Sequence, residues 1–426
     1  MKRIYSSIDI GSDTIKVVVC ELYKNKLNLL AASSVKSKGI KKGLITDFEQ
    51  AERSIKQAFV EIEEMLGIQI KKVIASIPSY QVEFTMVTGE VHIEQYIDED
   101  VMDADPVDGT ITGEDITRVL QVAMESKEKI NQEIVTILPI DFKVDDKKVV
   151  KDPKGLTAKT LSARGILVTT PKKNMYSVVG LLDRIGIEVV DVSINPIGDS
   201  FAFKNKKMDE SVGAIINIGS EVTSVSLYNK GIIVKNHLIG LGGRNIDNDI
   251  SYMYRLDHST AVHLKEKCAL AHKLHANTSE IYEVTNTYGE TIKINQYELS
   301  EVVMSRLEEI LSLAKKEIQS LTNRHLDYTI ITGGVSNMTN FGYIADDVFG
   351  RGTTVGNVKL VGIRNNRYAS AVGNIVYFVN KLKLKGQSYT MVSREDQEEL
   401  STISRNLINV SNESMLGKVF GYFFSE

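Results

Sequence analysis

Two segments in the two halves of this chain nearly repeat each other. Residues 8–13 read Ile-Asp-Ile-Gly-Ser-Asp, and residues 216–221 read Ile-Asn-Ile-Gly-Ser-Glu. Each segment lies between two runs rich in β-branched residues, which is typical of two strands joined by a tight turn. Glycine lets the backbone of such a turn approach a ligand and direct successive N–H groups at it. One Gly-Ser turn is common loop chemistry, but two copies predict paired phosphate-binding hairpins that face each other across a cleft.

Length and composition are those of an ordinary globular chain. The chain has 426 residues, of which 42% are hydrophobic and 25% are charged, and its length suggests two or three domains. The net charge of −4 comes from interspersed charges of both signs, which argues against nucleic acid as a main partner.

The cysteines and the apolar runs indicate a cytosolic protein. Cys20 and Cys268 lack the spacing of a metal or redox motif, so we expect two buried thiols in a reducing cytoplasm. The N-terminus has no apolar signal core, and no window approaches the roughly 18 apolar residues of a membrane span. Membrane contact would therefore need a surface attachment.

The first half predicts a β-meander followed by a capped helix. Strands are predicted at residues 4–10, 15–22 and 27–32. Asp47 is placed to cap a helix, apolar residues follow at helical spacing, and Gly67 has the position expected after the last turn. The basic cluster from Lys36 to Lys42 contains no aromatic residues, which favours a solvated turn over a binding patch.

The chain changes character from about Phe84 to Arg164. Alternating strands, an acidic loop and a helix after Thr112 predict a separate α+β unit, after which the first domain resumes. A helix over Met175 to Ile185 then lies beneath that domain. Because an insertion adds nothing to the core of its parent, we expect a binding or assembly module.

The second half repeats the layout of the first. After the second hairpin, residues 240–247 open a helix, a polar helix-rich stretch extends to about Asn295, and a long helix covers residues 299–321. A strand from Tyr328 runs into the pair Gly333 and Gly334. Such a pair allows a flat adenine–ribose to lie against bare backbone, although a lone glycine pair is usually only a turn.

Asp9 is the first candidate for metal chemistry. It ends the first strand, where a carboxylate can hold a hydrated Mg²⁺ beside a polyphosphate. Gly11, Ser12, Asp13 and Thr14 follow it and would supply backbone N–H groups and hydroxyls to the phosphates. A turn-capping role is the alternative for Asp9, and the recurrence of the hairpin favours the metal role.

The order of the three glycine segments resembles the nucleotide-binding motifs of the actin superfamily. Residues 8–12, 216–220 and 331–334 resemble its phosphate-1, phosphate-2 and adenosine motifs. The resemblance implies an α/β actin-like fold of two duplicated ribonuclease-H-like lobes, with ATP and Mg²⁺ bound between them. Asp9 would be the metal residue, and the residues assigned to the nucleotide are Gly11, Ser12, Asp13, Thr14, Lys16, Asn217, Gly219, Ser220, Glu221, Thr223, Gly243, Lys265, Gly333, Gly334, Val335 and Asn337.

Further segments resemble the FtsA family of bacterial cell-division proteins. They lie at residues 39–45, 139–144 and 151–156, and the last contains Lys-Asp-Pro-x-Gly, which general actin-like kinases and chaperones lack. The resemblance covers roughly residues 1–381. It implies that the insert replaces a usual actin subdomain and makes head-to-tail filament contacts. The implied partners are the FtsZ C-terminal tail, other copies of the chain, a lipid surface and other division proteins, at the cytoplasmic face of the membrane at the septum.

This resemblance divides the chain into six parts. They are a first lobe at 1–83 and 165–196 (1A), an inserted assembly subdomain at 84–164 (1C), a second lobe at 197–235 and 300–381 (2A), a small subdomain at 236–299 (2B), a flexible linker at 382–412, and an amphipathic membrane-targeting helix at 413–426.

The last predicted part can be examined from its residues alone. Its apolar residues recur at the spacing of one helix face, with Lys418 and two glycines opposite. Because a polar stretch separates it from the fold, we favour an interfacial anchor over docking on the parent fold. One such anchor is weak, and polymerisation would make it multivalent. The residues of the apolar face are Met415, Leu416, Val419, Phe420, Phe423 and Phe424.

Asn217 departs from the resemblance in a way that concerns catalysis. Many actin-like ATPases carry an acid at this position, and an amide is a poor Mg²⁺ partner that cannot act as a general base. Glu221 is near but displaced by a turn. We therefore expect tight ATP binding with slow or negligible hydrolysis, and we assign no catalytic residue.

Three further candidates are named by resemblance. Lys265 lies in a segment like the adenine-contacting helix of the family, although Val262 replaces the usual glutamate, and a surface lysine remains the alternative. Arg306 and Glu309 match the region that binds the FtsZ tail, and a solvated helix face with an i,i+3 charge pair is the slightly favoured alternative.

The histidines between residues 258 and 275 resemble a metal cluster only at first sight. Only His272 and His275 would share a helical face, and no third ligand is evident, so scattered surface histidines are favoured over zinc.

The favoured hypothesis is an ATP-binding, membrane-attached polymer that tethers the FtsZ ring. The alternative is a pilus-assembly type of actin-like ATP-binding peptide receptor, which has no bilayer anchor. A small-molecule kinase of the same superfamily would need a carboxylate base and an acceptor pocket, and neither is evident. A Rossmann dehydrogenase is disfavoured because no Gly-x-Gly-x-x-Gly follows the first strand.

Overall fold

The computed structural model describes residues 2–93, 109–125, 127 and 129–400. The first part of the chain forms a meander, a helix and a returning strand. Its elements are β1 (Arg3–Ile10), β2 (Thr14–Tyr23), β3 (Lys26–Lys36), β4 (Ile40–Lys41), β5 (Leu44–Ile45), α1 (Phe48–Leu66) and β6 (Lys72–Ile77).

The ends of α1 are fixed by the residues that predicted it. The Asp47 side chain accepts a hydrogen bond from Gln50 N–H, and Gly67 has φ 75° and donates its N–H to the Glu63 carbonyl. A left-handed residue after the last turn is the usual reason for glycine at that position. The predicted start and end of this helix are confirmed.

The inserted segment forms a four-stranded sheet with one helix against it. The strand order is β10-β9-β12-β7, and α2 begins at a capping box between Thr112 and Asp115. Phe142, Leu161 and Val119 are buried in a core that the insert forms on its own. The elements are β7 (Glu83–His92), β8 (Gly109–Thr110), α2 (Gly113–Met124), β9 (Gln132–Val144), β10 (Lys148–Val150), β11 (Thr157–Ala158) and β12 (Thr160–Pro171).

The chain then completes the first sheet and passes to the second. The connecting elements are α3 (Lys172–Arg184), β13 (Glu188–Ile194), α4 (Asn195–Phe203) and α5 (Lys206–Glu210). The second part comprises β14 (Val212–Ile218), β15 (Thr223–Asn229), β16 (Ile232–Ile239), α6 (Gly243–Tyr254), α7 (His258–Lys267), β17 (Ile281–Thr285), β18 (Thr291–Asn295), α8 (Gln296–Leu321), β19 (Tyr328–Thr332), α9 (Phe341–Phe349), β20 (Thr353–Val355) and α10 (Ala369–Leu384).

The two large sheets have the same topology. The first has the order β3-β2-β1-β6-β13 and the second the order β16-β15-β14-β19-β20. In each, the first three strands in this order are antiparallel and the last two join in parallel. We call the parts built on these sheets the first lobe and the second lobe. The repeat in the sequence is therefore a repeat of a whole five-stranded unit.

Helices α4 and α10 cross in backbone contact. A Cβ built on Gly373 would lie 1.7 Å from the Gly198 carbonyl oxygen, and one built on Gly198 would lie 2.4 Å from the Ser370 carbonyl oxygen. No side chain larger than hydrogen fits at either position, so these glycines set the separation of the two helices.

Predictions about two elements and one cysteine differ from the structure. The segment before residue 296 was expected to be helix-rich, but it contains the antiparallel hairpin β17–β18. The expected linker begins inside α10, and Met391 beyond it is buried and donates its N–H to the Ile4 carbonyl at 2.9 Å. Apolar residues near 389–392 supply this packing, which the polar composition of the whole stretch obscured. Cys20 is buried as expected, whereas Cys268 is half-buried.

No described helix has the length and apolar content needed to cross a bilayer. The predicted amphipathic helix at 413–426 lies outside the described residues.

Candidate functional site

A cleft of about 410 Å³ lies where the two repeated hairpins meet. Its walls come from both lobes: the turn after β1, the turn after β14, the start of α6, the helix α7 and the glycine pair after β19. The predicted residues that line it are Asp9, Gly11, Ser12, Asp13, Thr14, Lys16, Asn217, Gly219, Ser220, Glu221, Gly243, Lys265, Gly333, Gly334, Val335 and Asn337.

The two hairpin turns have the same backbone structure. Gly11 N–H donates to the Thr14 carbonyl at 3.2 Å, and Gly219 N–H donates to the Val222 carbonyl at 3.0 Å. A Cβ on either glycine would lie 2.9 Å from that carbonyl oxygen, which is closer than ordinary contact. Both turns therefore need glycine for the same reason, and each brings a serine to the cleft wall.

Asp9 lies at the end of β1 and is held by two donors. Lys16 Nζ is 2.9 Å from Asp9 Oδ2, and Asn195 Nδ2 donates to Asp9 Oδ1 at 3.1 Å. The Lys16 and Asp9 side chains are only 10% and 6% exposed, so this ion pair is shielded from water. A carboxylate and an ammonium side by side at the cleft floor suit a divalent cation and a phosphate, respectively.

Asp199 lies behind the cleft floor and was not predicted. It is buried, and Ser370 Oγ and Asn217 Nδ2 donate to its two oxygens at 2.7 Å and 2.8 Å. Burial raises the pKa of Asp199 to about 7, although both hydrogen bonds favour the charged form. Asp199 is on α4 and Ser370 on α10, so only the tertiary contact of these helices with β14 brings the three side chains together.

The N-terminus of α6 packs on the second hairpin. Gly243 N–H donates to the Gly219 carbonyl at 2.9 Å, and Arg244 N–H donates to the Ser220 carbonyl at 2.7 Å. A Cβ on Gly242 would lie 2.5 Å from the Gly219 carbonyl oxygen, so glycine is needed there for this close approach.

Lys265 faces the cleft from α7. It pairs with Asp247 at 2.7 Å, and the two side chains are 12% and 6% exposed. Burial raises the pKa of Asp247, and the charge of Lys265 opposes that rise. Lys265 is therefore part of the cleft wall and not a solvated surface lysine.

The backbone of Gly333 packs directly against the second hairpin. Its φ is 93°, and a Cβ would lie 2.4 Å from the Ile218 carbonyl oxygen and 2.5 Å from Asn217 Oδ1. A Cβ on the adjacent Gly334 would meet no atom within 4 Å. The first glycine is thus required by the fold, whereas the second leaves open backbone at the cleft surface.

A loop of the first lobe bridges the mouth of the cleft. Gly43 N–H, in the turn between β4 and β5, donates to Ser12 Oγ at 2.7 Å. The neighbouring Lys42 N–H donates to Glu221 Oε2 at 2.5 Å, and Arg244 pairs with Glu221 Oε1 at 2.6 Å. This turn was expected to be solvated, but it contacts both hairpins.

Asp13 at the tip of the first hairpin is also paired. Burial opposes its charge, but the hydrogen bond and positive charge of Lys36, with smaller contributions from Lys265 and Arg244, hold the pKa of Asp13 below its ordinary value. Asp13 and Glu221 therefore both have cationic neighbours at the mouth of the cleft.

The residues of the cleft fit a nucleoside triphosphate with a divalent cation. Two glycine turns with serines, the Lys16 ammonium and the Asp9 carboxylate are the groups that such a ligand needs. Asn366 also lines the cleft, and its buried Oδ1 has no hydrogen-bond partner among the described residues. A ligand donor such as a ribose hydroxyl or an adenine amino group would satisfy it.

Some predicted residues lie elsewhere. Thr223 is fully buried and its hydroxyl donates to the Leu241 carbonyl at 2.8 Å, so it does not line the cleft. The β-branched residue after the turn faces the second-lobe core because side chains alternate along the strand. The six predicted membrane residues, Met415, Leu416, Val419, Phe420, Phe423 and Phe424, lie outside the described residues.

Arg306 and Glu309 lie in a separate groove of about 520 Å³ between α6 and α8. The Arg306 guanidinium bonds both oxygens of Asp249, at 2.6 Å and 2.8 Å, and also contacts Glu309. Met253 and Tyr254 contribute apolar surface to the same groove.

His272 and His275 lie around a short helical turn and make separate contacts. His272 Nε2 is 3.0 Å from Asp347 Oδ2, and the His275 ring stacks on Tyr343 at 4.0 Å between ring centres. The described part of the chain contains no cluster of His, Cys, Asp and Glu suited to a metal ion.

Several polar residues around the cleft were not predicted from the sequence, among them Ser76, Asn195, Asp199 and Ser370. Ser76 bonds to Asn195, which in turn bonds to Asp9. Asn195 does carry one signal, because it follows β13 and precedes a proline at the start of α4. The other three lie on elements whose proximity to the hairpins follows only from tertiary packing.

Two family models match separate parts of the chain. The model described as "Cell division protein FtsA" matches residues 214–373, and the one described as "SHS2 domain inserted in FTSA" matches residues 91–169. The second match lies on the inserted α+β unit, and the first covers the second hairpin and the glycine pair.

Curated relatives match along most of the chain. The cell division protein FtsA of Bacillus subtilis (strain 168) is 29% identical over 90% of this chain and 86% of its own length. The FtsA of Streptococcus pneumoniae serotype 2 (strain D39 / NCTC 7466) is 27% identical over 86% of this chain and 78% of its own length.

Solved structures with low sequence identity share the fold. A chain of the PilM-PilN type IV pilus biogenesis complex matches with a TM-score of 0.58 at 14% identity, over 88% of this chain and 98% of its own length. MreB5 of Spiroplasma citri bound to ADP matches with a TM-score of 0.55 at 14% identity, over 90% of this chain and 98% of its own length. The predicted actin-like fold with an inserted α+β unit is confirmed. By these family models and relatives, the chain is similar to FtsA cell-division proteins along most of its length, and it has the fold of the actin-like proteins.

Proposed function

We propose that this protein is an ATP-binding polymer that attaches to the cytoplasmic face of the membrane at the division septum and tethers FtsZ there. The observation that carries the proposal is the pair of matching glycine hairpins, one from each lobe, that close a single cleft with Asp9 and Lys16 at its floor. The domain boundaries and residue roles predicted from the sequence enter as parts of this proposal, with three exceptions. These are the start of the linker, the role of Thr223 and the end of the insert, since β12 of the inserted sheet continues to Pro171.

The nucleotide would be held by groups from both lobes. Ser12 and Ser220, with the N–H groups of their turns, would bind the phosphates, and Lys16 would add positive charge. Lys265 and the Gly333–Gly334 backbone would contact the adenosine. Asp9 would hold Mg²⁺ through its hydration shell, and the cation when bound neutralises phosphate charge. That another actin-like protein, MreB5, has been solved with ADP supports a nucleotide at this cleft.

Hydrolysis would be slow because no free carboxylate lines the second hairpin. Asn217 is an amide, and a general base must accept a proton from the attacking water. Glu221 accepts from the Lys42 N–H and pairs with Arg244, so neither of its oxygens is free in this arrangement. Turnover comparable to that of a sugar kinase, in a phosphate-release assay on pure protein, would contradict this part.

The remaining parts of the proposal concern assembly. The inserted subdomain would make head-to-tail contacts between copies, and the groove of Arg306 and Glu309 would take the FtsZ C-terminal tail. The apolar face of residues 415–424 would lie in the lipid interface, and polymerisation would multiply this weak contact.

The alternative function is an ATP-binding peptide receptor of the pilus-assembly type, without a bilayer anchor. The fold similarity to a chain of the PilM-PilN complex is the observation that favours it. Membrane binding through the last residues separates the two functions.

Co-sedimentation with anionic lipid vesicles and purified FtsZ, with and without ATP, tests the proposal. A chain that lacks residues 415–426 is expected to lose binding to vesicles but to keep binding to FtsZ. Arg306→Ala is expected to lose binding to FtsZ but to keep binding to vesicles. Each variant is thus the control for the other. A truncated chain that stays with vesicles as well as the intact chain does would rule out the anchor.

A further inference from the structure

Three side chains from three elements meet beneath the cleft floor. Asn217 is the next-to-last residue of strand β14, Asp199 is on α4, and Ser370 is in the first turn of α10. Asn217 and Ser370 line the cleft, whereas Asp199 is 1% exposed and lies behind them. Asp199 can therefore influence a ligand in the cleft only through its neighbours.

The contacts of Asp199 fix the orientation of the Asn217 amide. Asn217 Nδ2 donates to Asp199 Oδ2 at 2.8 Å, and Ser370 Oγ donates to Asp199 Oδ1 at 2.7 Å. An ionised carboxylate can only accept hydrogen bonds, so the NH₂ group of the amide must face it. The amide oxygen then points the other way, toward the glycine pair, where a Cβ on Gly333 would lie 2.5 Å from it.

We propose that Asp199 is a positioning residue that makes Asn217 present an acceptor oxygen, and not an amide donor, to a nucleotide in the cleft. The inference rests on the proposed nucleotide-binding function and concerns how that same site selects the metal-bound form of its ligand.

The consequence follows from the chemistry of the two ligand forms. Phosphate oxygens accept hydrogen bonds, and the Asn217 oxygen is also an acceptor. The two cannot bond to each other, so this oxygen adds no hydrogen bond to free ATP. Water molecules that coordinate a divalent cation are donors, and an acceptor oxygen at the cleft floor can bond to them. An Asn217 released from Asp199 could turn and donate to a phosphate oxygen instead. Asp199 would therefore favour cation-bound ATP over free ATP.

A matched pair of substitutions separates this role from simple packing. Asp199→Leu keeps the branched shape but removes the nearer acceptor of Asn217 Nδ2, which then keeps only its longer contact with Ser370 Oγ at 3.4 Å among the contacts described. Asp199→Asn keeps an acceptor oxygen for Asn217, while its own NH₂ group can donate to Ser370 Oγ. Asn217 and Ser370, which bond to residue 199, both line the cleft, so their polar atoms can turn toward water in the leucine variant.

The measurement is the dissociation constant of ATP, at equilibrium, with Mg²⁺ and with EDTA in its place. It is made at pH 8 on the full chain, and the informative quantity is the constant in EDTA divided by the constant with Mg²⁺, a ratio that is larger the more the site favours cation-bound ATP. We expect the wild type and Asp199→Asn to agree within about twofold, and Asp199→Leu to lower the ratio by about tenfold, the effect of one hydrogen bond. Circular dichroism melts of the unliganded variants report folding.

A wild-type ratio in Asp199→Leu would overturn the proposal. An equal rise of both ATP dissociation constants in that variant would also overturn it, because a purely structural role of Asp199 gives this result. Should the leucine variant fail to fold, Asp199→Asn/Asn217→Asp exchanges acceptor and donor while placing a carboxylate at the cleft. Its ratio should equal or exceed that of the wild type, and a lower ratio would contradict the proposal. Absence of ATP binding by the wild type would instead refute the proposed function itself.

Discussion

The buried carboxylate of Asp199 makes a contribution to the stability of the fold that depends on pH. Burial raises the pKa of Asp199 to about 7, and the nearby Asp9 adds to the rise, while Ser370, Asn217 and Lys16 oppose it. In the unfolded chain the same group titrates near pH 4. Between these values the native state holds a proton that the unfolded state has released, so the contribution of Asp199 to stability falls as pH rises.

Asp199→Asn should therefore gain stability relative to the wild type as pH increases. We expect the difference in unfolding free energy, variant minus wild type, to grow by more than about 1 kcal/mol between pH 5 and pH 8. Urea unfolding at both pH values measures it. A difference that is constant, or that shrinks, would show that Asp199 has no raised pKa in the native state.

The glycine pair after β19 gives a second prediction at this scale. Gly333→Ala should destabilise the protein by about 2–4 kcal/mol, because φ is 93° and the new Cβ would lie 2.4 Å from the Ile218 carbonyl oxygen. Gly334→Ala is the matched control, since its Cβ would meet nothing within 4 Å, and it should change stability by less than about 0.5 kcal/mol. Equal effects in denaturant unfolding would contradict the close approach of Gly333.

Residues close to a recognisable turn were predictable, and residues brought in by packing were not. Asp9, Gly11 and Gly219 follow from the repeated hairpin alone. Asp199 carries no such signal, because a lone aspartate in an apolar helical stretch gives no indication of the strand that it faces. Thr223 was wrongly assigned to the nucleotide. Which side chains of a strand face inward after a turn is set by the core on which the strand packs, and the turn itself does not reveal it.

At the scale of elements, helix α10 connects the cleft to the inserted subdomain. Its first turn carries Ser370 at the cleft, Tyr377 bonds to Thr136 of the insert, and Leu384 packs against the insert core. In its last turn, the Lys383 carbonyl accepts a hydrogen bond from Lys154 Nζ of the Lys-Asp-Pro-x-Gly segment at 2.9 Å. One rigid helix therefore contacts both the proposed nucleotide site and the proposed assembly module.

The crossing of α10 with α4 gives the prediction at this scale. Gly373→Ala should lower the unfolding free energy by about 3 kcal/mol or more, because its Cβ would lie 1.7 Å from the Gly198 carbonyl oxygen. Gly180→Ala, at an exposed position of helix α3 with nothing within 4 Å of the new Cβ, should instead stabilise by up to about 1 kcal/mol. If both substitutions have the same sign in urea unfolding, the two helices are not in backbone contact.

Elements with local stop signals were well predicted from the sequence. Helix α1 has its cap at Asp47 and its end at Gly67, and the residues that end it are adjacent to it in the chain. Hairpin β17–β18 was missed because its strands are short and polar on one face, so their period is hard to distinguish in a charged stretch. The packing of Met391 on β1 depends on a partner 387 positions away, Ile4, that no local pattern reveals.

At the scale of the whole molecule, the chain contains two copies of one unit that differ at the cleft. Both lobes keep the five-stranded order and the glycine turn, but the first copy offers the Asp9 carboxylate where the second offers the Asn217 amide. A ligand that contacts both turns binds more tightly when the two turns lie close together than when they are apart, and so it stabilises the arrangement in which they are close. That linkage is how nucleotide occupancy would control contacts between copies of the chain.

The proposed function requires that both glycine turns bind one triphosphate. A crystal structure of the full chain with ATP and Mg²⁺ would test this requirement. We expect one nucleotide per chain, with its phosphates between residues 11–14 and 219–221 and its adenosine against the Gly333–Gly334 backbone. An empty cleft, or a nucleotide bound anywhere else on the chain, would rule out the proposed function.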